Sequence, residues 1–370
     1  MRRVELTPRA DWVHKVEEVG LIYHHTVEGP YWDESAVWEF EAREIEEIER
    51  ATHDLHQMAL AAAQRVIDEE RYAELGIPAA AVPLIKAAWY AEPPSIYGRL
   101  DLACDGINPP KLLEYNADTP TALVEAAVAQ WYWLQDVSPS ADQFNSIHEG
   151  LVEKWKELAP WAPVHFAHVD TVDGEDLMTV TYLRDTAQQA GLATNGLAVQ
   201  DIGWDGEYFV DLEDSLIRTL FKLYPWEWLV NEAFAAHLPG TVTWIEPIWK
   251  MLLSNKGILA ILWEMYPDHP NLLPAYLDGS RHLLRFVKKP LLSREGANVT
   301  IVDGVFTESN EGDYGDEGFV WQQLAALPKN DAIVGSWLID QTPRGIGIRE
   351  PKRGTRITTN LARFVPHRMR

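Results

Sequence analysis

Arg99 and Asp101 in YGRLDLACD, and Glu114 and Asn116 in KLLEYNAD, stand at alternate positions of two short, otherwise apolar segments. The two-residue period of an extended chain puts each pair on one strand face, Arg99 and Asp101 on one and Glu114 and Asn116 on another. Between them GINPP carries Gly106 and a proline pair, so an antiparallel hairpin is the simplest join. Two carboxylates and an amide oxygen brought together form a hard-oxygen donor set. It suits Mg²⁺ whose shell is completed by phosphate oxygens, the chemistry of an ATP-using enzyme and not of a zinc protein. A solvated strand face is the plain alternative for any one of these residues. Four of them set among Leu, Tyr and Ala point beyond it.

Two later segments carry charges that suit the same chemistry. In RFVKKPLLSREGANVTIVDG, a lysine at a strand end precedes a glycine-bearing loop and a further strand, as in a lid over nucleotide phosphates. Lys288 or Lys289 would supply the point charge, and Gly296 lets backbone N–H groups come close to an anion. An exposed basic turn is the alternative. The loop lacks the G-x-x-x-x-G-K-[ST] pattern, which excludes a P-loop. In GIGIREP, Arg349 follows glycines that let backbones approach, and is placed either to neutralise a transferring phosphoryl group or to pair with a surface acid. Lys250 and Lys256, in WKMLLSNKG, offer further phosphate contacts.

The elements that position these groups are legible as patterns. Residues 33–75 read as one long helix or two joined helices, capped by Asp33-Glu34-Ser35, with apolar positions recurring at three and four. DTPTALVEAAVAQWYWLQ reads as a helix capped by Asp118 or Thr119. From residue 163 strands and helices alternate. VHFAHVD, GLAVQDIGW and YFVDLED read as strands, and EDLMTVTYLRDTAQQAGL as a helix ending near Gly191. LIRTLFKLYPWEWLVNEAFAA returns to helix, and WIEPIWKMLLSNKGILAILWEMYP is a further helical region. LLRFVKKPL and NVTIVDG are strands, and AIVGSWLIDQTPRGIGIRE is a hairpin pair followed by a loop. The expected divisions are 1–160 (helical region plus hairpin), 161–240 (α/β region) and 241–370 (lid and nucleotide region).

Composition bounds the rest. The 370 residues are 46% hydrophobic and 24% charged, ordinary for a soluble globular protein, and no apolar run reaches the roughly 18 residues a membrane span needs. A formal net charge of −24 argues against nucleic acid or anionic membrane as the main partner and favours a cationic one. The basic start MRRVELTPRADW lacks an apolar signal core, and the single cysteine, Cys104, fits a reducing cytoplasm and a small buried core residue. The sixteen Trp, several at helical spacing, read as core.

Taken together, YGRLD, KLLEYNADTPTALVEA, KKPLLSREGANV, VGSWLID and GIGIRE…TTNLARFVPH resemble the synthetase domain of the glutathionylspermidine synthase family. The resemblance covers essentially the whole chain and keeps the family's order of motifs. It implies an α/β (α+β) architecture, an ATP-grasp fold with a pre-ATP-grasp-like α/β domain, and an ATP-dependent carboxylate–amine ligase working through an acyl phosphate. By the same resemblance Asp101, Glu114 and Asn116 would ligate one or two Mg²⁺ ions. Arg99 and Arg349 would stabilise the transferring phosphoryl group, with Arg99 also meeting ATP. Lys250 and one of Lys288 and Lys289 would hold ATP phosphates beneath a lid containing Arg294, Glu295 and Gly296. Gln322 and Leu324 would meet adenine. Thr119, Glu175 and Asp176 would meet substrate, the two acids facing a polyamine. The substrates implied are a short peptide carboxylate such as glutathione and an amine such as spermidine. The family's bifunctional members carry an amidase domain ahead of the synthetase. This sequence opens on the synthetase part, so amidase activity is not expected. The competing expectation is a non-catalytic nucleotide-binding protein of the same fold acting through a partner.

Overall fold

The stretch after Asp33 enters a sheet before it enters a helix. The computed structural model describes every residue other than Ala162, Val172 and Asp173, and only the backbone of Lys329. In chain order, β1 (Arg2–Glu5) and α1 (Trp12–Glu18) precede β2 (Ala36–Phe40), α2 (Ala42–Asp68) and α3 (Val82–Ala91). Next come β3 (Tyr97–Ala103), β4 (Lys111–Asn116), α4 (Gln130–Val137), α5 (Ile147–Glu157), β5 (Val164–His168), α6 (Glu175–Gln189), β6 (Thr194–Ala198) and β7 (Thr219–Lys222). They are followed by α7 (Trp226–Leu229), β8 (Thr243–Ile245), α8 (Lys250–Ser254), α9 (Ile258–Met265), β9 (Ala275–Tyr276) and β10 (Arg285–Pro290). The chain ends with β11 (Thr300–Asp303), β12 (Phe306–Ser309), β13 (Phe319–Gln323), β14 (Ile333–Ile339), β15 (Thr342–Glu350), β16 (Arg363–Val365) and β17 (His367–Met369).

Four sheets result, besides two-residue ladders: β1-β2-β17, a parallel β8-β7-β5-β6, and two antiparallel sheets, β9-β13-β10-β11-β12 and β16-β15-β14-β3-β4. The expected helix over 33–75 is therefore corrected at its start. AVWEF is β-branched and aromatic, fully buried, and pairs with β1 on one side and β17 on the other. Asp33-Glu34-Ser35 caps nothing helical. α2 begins one residue past Glu41, whose backbone N–H donates to Glu44 Oε2 at 2.9 Å. Its apolar stripe, from Ile45 to Ile67, lies against β14, β15, α8 and α9.

The expected helix over LIRTLFKLYPWEWLVNEAFAA is also corrected. Thr219–Lys222 is a central strand of the parallel sheet, buried on both faces, so it lacks the apolar–polar alternation of a half-exposed strand. Only Trp226–Leu229 is α-helical there. β8 continues this sheet at Thr243–Ile245, beyond the division expected at residue 240, and helix resumes only at Lys250. Asp118 and Thr119 do not cap a helix either. The helix after them starts at Leu123 and passes through a π-helical turn, Glu125–Ala129, before α4.

What Asp118 does is join the hairpin to the parallel sheet. Its Oδ1 accepts from the Lys222 ammonium at 2.8 Å, and its Oδ2 accepts from the Trp226 N–H at 2.9 Å. Lys222, only 2% exposed, also donates to Tyr224 O at 2.8 Å and lies 4.5 Å from the Trp226 ring centroid. Every polar atom of the buried pair is satisfied, and removing one partner strands the other charge. Asp118→Ala is expected to lower unfolding stability by about 3–5 kcal/mol. Urea unfolding followed by tryptophan fluorescence measures it, and a loss below about 1 kcal/mol would contradict this role.

Candidate active site

The hairpin of β3 and β4 forms as expected, but both polar pairs lie on one face. The register sets Asp101 opposite Glu114 and Arg99 opposite Asn116, and directly opposed residues share a face. The turn is fixed by Asp105 Oδ1, which accepts from the N–H groups of Ile107 and Asn108, with Gly106 at φ +76°. On the other side of β3, β14 places Gly335 opposite Asp101. A Cβ at Gly335 would stand 2.9 Å from Arg99 Cδ, so the arginine lies flat across a position that only glycine leaves open.

Charges from five chain segments meet on this face. Arg99 donates to Asp101 Oδ1 at 2.7 Å and to Thr121 O at 2.6 Å, and Arg349 from β15 donates to Asp101 Oδ2. The Asn116 amide donates to Asp101 Oδ2 at 3.3 Å and to Glu114 Oε1 at 3.2 Å. Lys256 Nζ lies 3.2 Å from Glu114 Oε2. Lys289 donates to Gln322 Oε1 and Leu113 O, both at 2.8 Å. Burial alone would raise the Glu114 carboxyl, but the Lys256 and Lys289 ammoniums hold it far below the usual range. Burial pushes Lys289 down to about 8, with Glu114 opposing and Lys256 adding to the fall. Arg349 is held charged against burial by Asp101 and Glu114.

These groups floor a cavity of about 610 Å³. One part is apolar, with Val287, Ile301, Leu324, Leu327 and Ile333, and Gln322 beside them. Thr119, Glu175 and Asp176 line another part, and Tyr31, Thr121, Trp228 and Thr358–Asn360 also reach it. Arg294, Glu295 and Gly296 line it as well. Arg294 donates to Thr119 Oγ1 at 3.2 Å and its guanidinium lies 5.5 Å from the Trp228 ring centroid. Gly296, at φ +69°, presses on the 357–358 loop, where a Cβ would stand 2.6 Å from Ile357 Cγ2.

Two expected residues lie elsewhere. Lys250 is 3% exposed, donates to Tyr97 O at 2.6 Å and pairs with Glu246, which itself accepts from the N–H groups of Ile96 and Tyr97. It anchors the start of β3 and does not line the cavity. Lys288 points to the opposite face from Lys289, with its ammonium 3.7 Å from the Phe319 ring centroid. Of the adjacent lysines it is Lys289 that lines the cavity, and from WKMLLSNKG it is Lys256, not the expected Lys250. The sequence reading assigned no site role to Tyr31, which lies outside any quoted motif, or to Thr121 and Thr358–Asn360, which lie within quoted motifs. It also placed Trp228 in the core, whereas Trp228 is 38% exposed and stands at the cavity. Cys104 is buried in the core as expected.

The donor set suits a hard divalent cation. Among the described residues no group of three His, Cys, Asp or Glu side chains converges. Asp101 and Glu114 supply two carboxylates, and Asn116 holds its amide between them, where a cation would draw in its oxygen instead. Four cations facing two carboxylates suit polyphosphate. Tripolyphosphate measured by calorimetry is expected to bind at least about tenfold more weakly to Lys289→Met. Lys288→Met should stay within about twofold. Affinity should fall as pH rises through about 8, where Lys289 loses its proton. Equal losses in the two variants would refute the assignment.

A family description, glutathionylspermidine synthase preATP-grasp, matches residues 3–370. A Haemophilus influenzae protein, provisionally named an acid–amine ligase, is 41% identical over 397 residues, covering 99% of this chain and 99% of that protein. Trypanothione synthetase of Crithidia fasciculata is 30% identical over 337 residues, 80% of this chain and 51% of that one. The bifunctional glutathionylspermidine synthetase/amidase of Escherichia coli is 28% identical, covering 77% and 51% respectively. The chain spans about half the length of these last two. A glutathione synthetase-like effector from Globodera pallida superposes with a TM-score of 0.58 at 8% identity over 99% of the chain, a likeness of fold.

Proposed function

The chain belongs to the glutathionylspermidine synthase preATP-grasp family, and on that premise we infer that it is an ATP-dependent ligase joining a carboxylate to an amine. The observation that carries this is the convergence of Asp101, Glu114 and Asn116 with Arg99, Arg349, Lys256 and Lys289 at the floor of one cavity that also has an apolar compartment. ATP is the nucleotide. Its base lies in the apolar compartment near Gln322 and Leu324, and Lys256 and Lys289 hold its phosphates under Arg294, Glu295 and Gly296. Mg²⁺ held by Asp101, Glu114 and Asn116 would neutralise charge on the phosphate oxygens.

The residues themselves orient and balance charge. Arg349 and Arg99, held by Asp101, face the place where negative charge builds as a phosphoryl group passes to the substrate carboxylate. The same arginines stabilise the tetrahedral centre formed when an amine attacks the acyl phosphate. No side-chain nucleophile is needed, because positioning and charge neutralisation lower the barrier. Thr119, Glu175 and Asp176 meet the substrates, the acids facing the cationic amine. The relatives named for glutathionylspermidine and trypanothione make a glutathione-like peptide and a polyamine-like amine the classes to try first.

ADP release is measured with ATP, Mg²⁺ and a panel of short peptides and amines. Release is expected only when an acid and an amine are both present, with an amide of matching mass. ATP binding without ADP formation in any pairing would end the ligase reading. Arg349→Met should lower kcat about 10²–10³-fold. Glu114→Gln should abolish Mg²⁺-dependent turnover while circular dichroism stays unchanged; retained turnover would remove Glu114 from the metal set.

A further inference from the structure

Glu125 is the one acid in the apolar run TALVEAAVA, and it is 0% exposed. It opens the π-helical turn Glu125–Ala129, and among the described residues neither carboxyl oxygen makes a hydrogen bond of good geometry. An enclosed carboxyl without a firm partner is costly, and π turns gather at functional sites. The groups facing it are the Tyr31 hydroxyl, Arg99 and Arg349, and from α6 the carboxyl of Glu175. Glu175 in turn faces Thr121, Asp176 and Glu295, and lines the cavity together with Tyr31. The fold thus sets a buried acid behind the cavity acid assigned to the amine.

We propose that Glu175 takes the proton which the amine substrate must shed before attack, and that Glu125 behind it is the positioning residue on which this depends. The proposal rests on the ligase reading. The ammonium gives one proton to the Glu175 carboxylate and becomes a neutral amine. Its lone pair forms the C–N bond at the carbonyl carbon of the acyl phosphate. The tetrahedral centre then collapses, the C–O bond to phosphorus-bound oxygen breaks, and phosphate leaves with that electron pair. The remaining surplus proton on nitrogen departs with the phosphate.

Two carboxyls in one enclosed region resist ionising together. Burial first, and Glu125 second, push Glu175 up to about 7, a value suited to a base working at neutral pH. Glu125 is itself raised by burial against the pull of Arg99 and Arg349. The base is the ionised form, so turnover falls as pH drops below about 7. Deleting the Glu125 carboxyl lets Glu175 ionise at lower pH, which moves that limb downward.

The test supplies the whole protein with ATP, glutathione and either spermidine, charged at neutral pH, or hydroxylamine, largely uncharged there. Glu175→Gln should slow the spermidine reaction about 100-fold more than hydroxamate formation. Equal losses would overturn the proposal. Glu125→Gln should shift the acid limb of kcat/KM for spermidine about one pH unit lower, with no such shift for hydroxylamine. Superimposable spermidine profiles would also overturn it. If the unaltered protein makes hydroxamate from no acid of the peptide panel and forms no ADP in any pairing, the ligase reading itself falls, an outcome separate from the other two.

Discussion

Four cations enclosed around two carboxylates are the arrangement to which the surrounding structure answers. Arg99, Arg349, Lys256 and Lys289 come from β3, β15, the turn between α8 and α9, and β10, and each reaches Asp101 or Glu114 within a buried basin. A chain with net charge −24 thus keeps a positive surplus at one enclosed point. Like charges packed in low dielectric repel, so the basin persists only because the sheet fixes the backbone beneath each residue. An anionic ligand relieves that repulsion, and the binding free energy is built into the unliganded fold.

The backbone has to meet narrow steric terms for this. Arg99 lies across Gly335, and opposite it on β15 Gly347 leaves room for the Phe364 ring, where a Cβ would stand 2.8 Å from Phe364 Cε2. Lys250, though outside the cavity, pins Tyr97 and with Glu246 fixes where β3 begins. A slip of one residue there would turn Arg99 and Asp101 into the core and expose Leu100 and Leu102. The lysine is structural because the register needs it.

How much of this was legible follows from the length scale of each signal. The hairpin, the Arg349 strand and the glycine-bearing loop between β10 and β11 were readable because period-two alternation and glycine placement are local. The family's fold was readable because its motifs keep one order. The AVWEF strand was hidden because Asp33-Glu34-Ser35 resembles a cap and because its partners, β1 and β17, lie at opposite ends of the chain. Lys288 and Lys289 were inseparable because alternation says that one faces the site, while only the neighbouring β13 and β4 decide which. Glu125 was overlooked inside an apolar run, where a lone acid was itself the signal.

The buried Lys222–Asp118 contact has a mechanical consequence. It rivets the end of the hairpin to the middle of the parallel sheet, so the strands that carry Asp101, Glu114 and Asn116 are braced by a second sheet. The 294–296 segment is held by the Arg294 hydrogen bond to Thr119, the Arg294 guanidinium against the Trp228 ring, the Asn310 amide donating to Gly296 O at 3.2 Å and the touch of Gly296 on the neighbouring loop. Asp101, Glu114 and Asn116 thus sit on the riveted strands, and the 294–296 segment carries none of them.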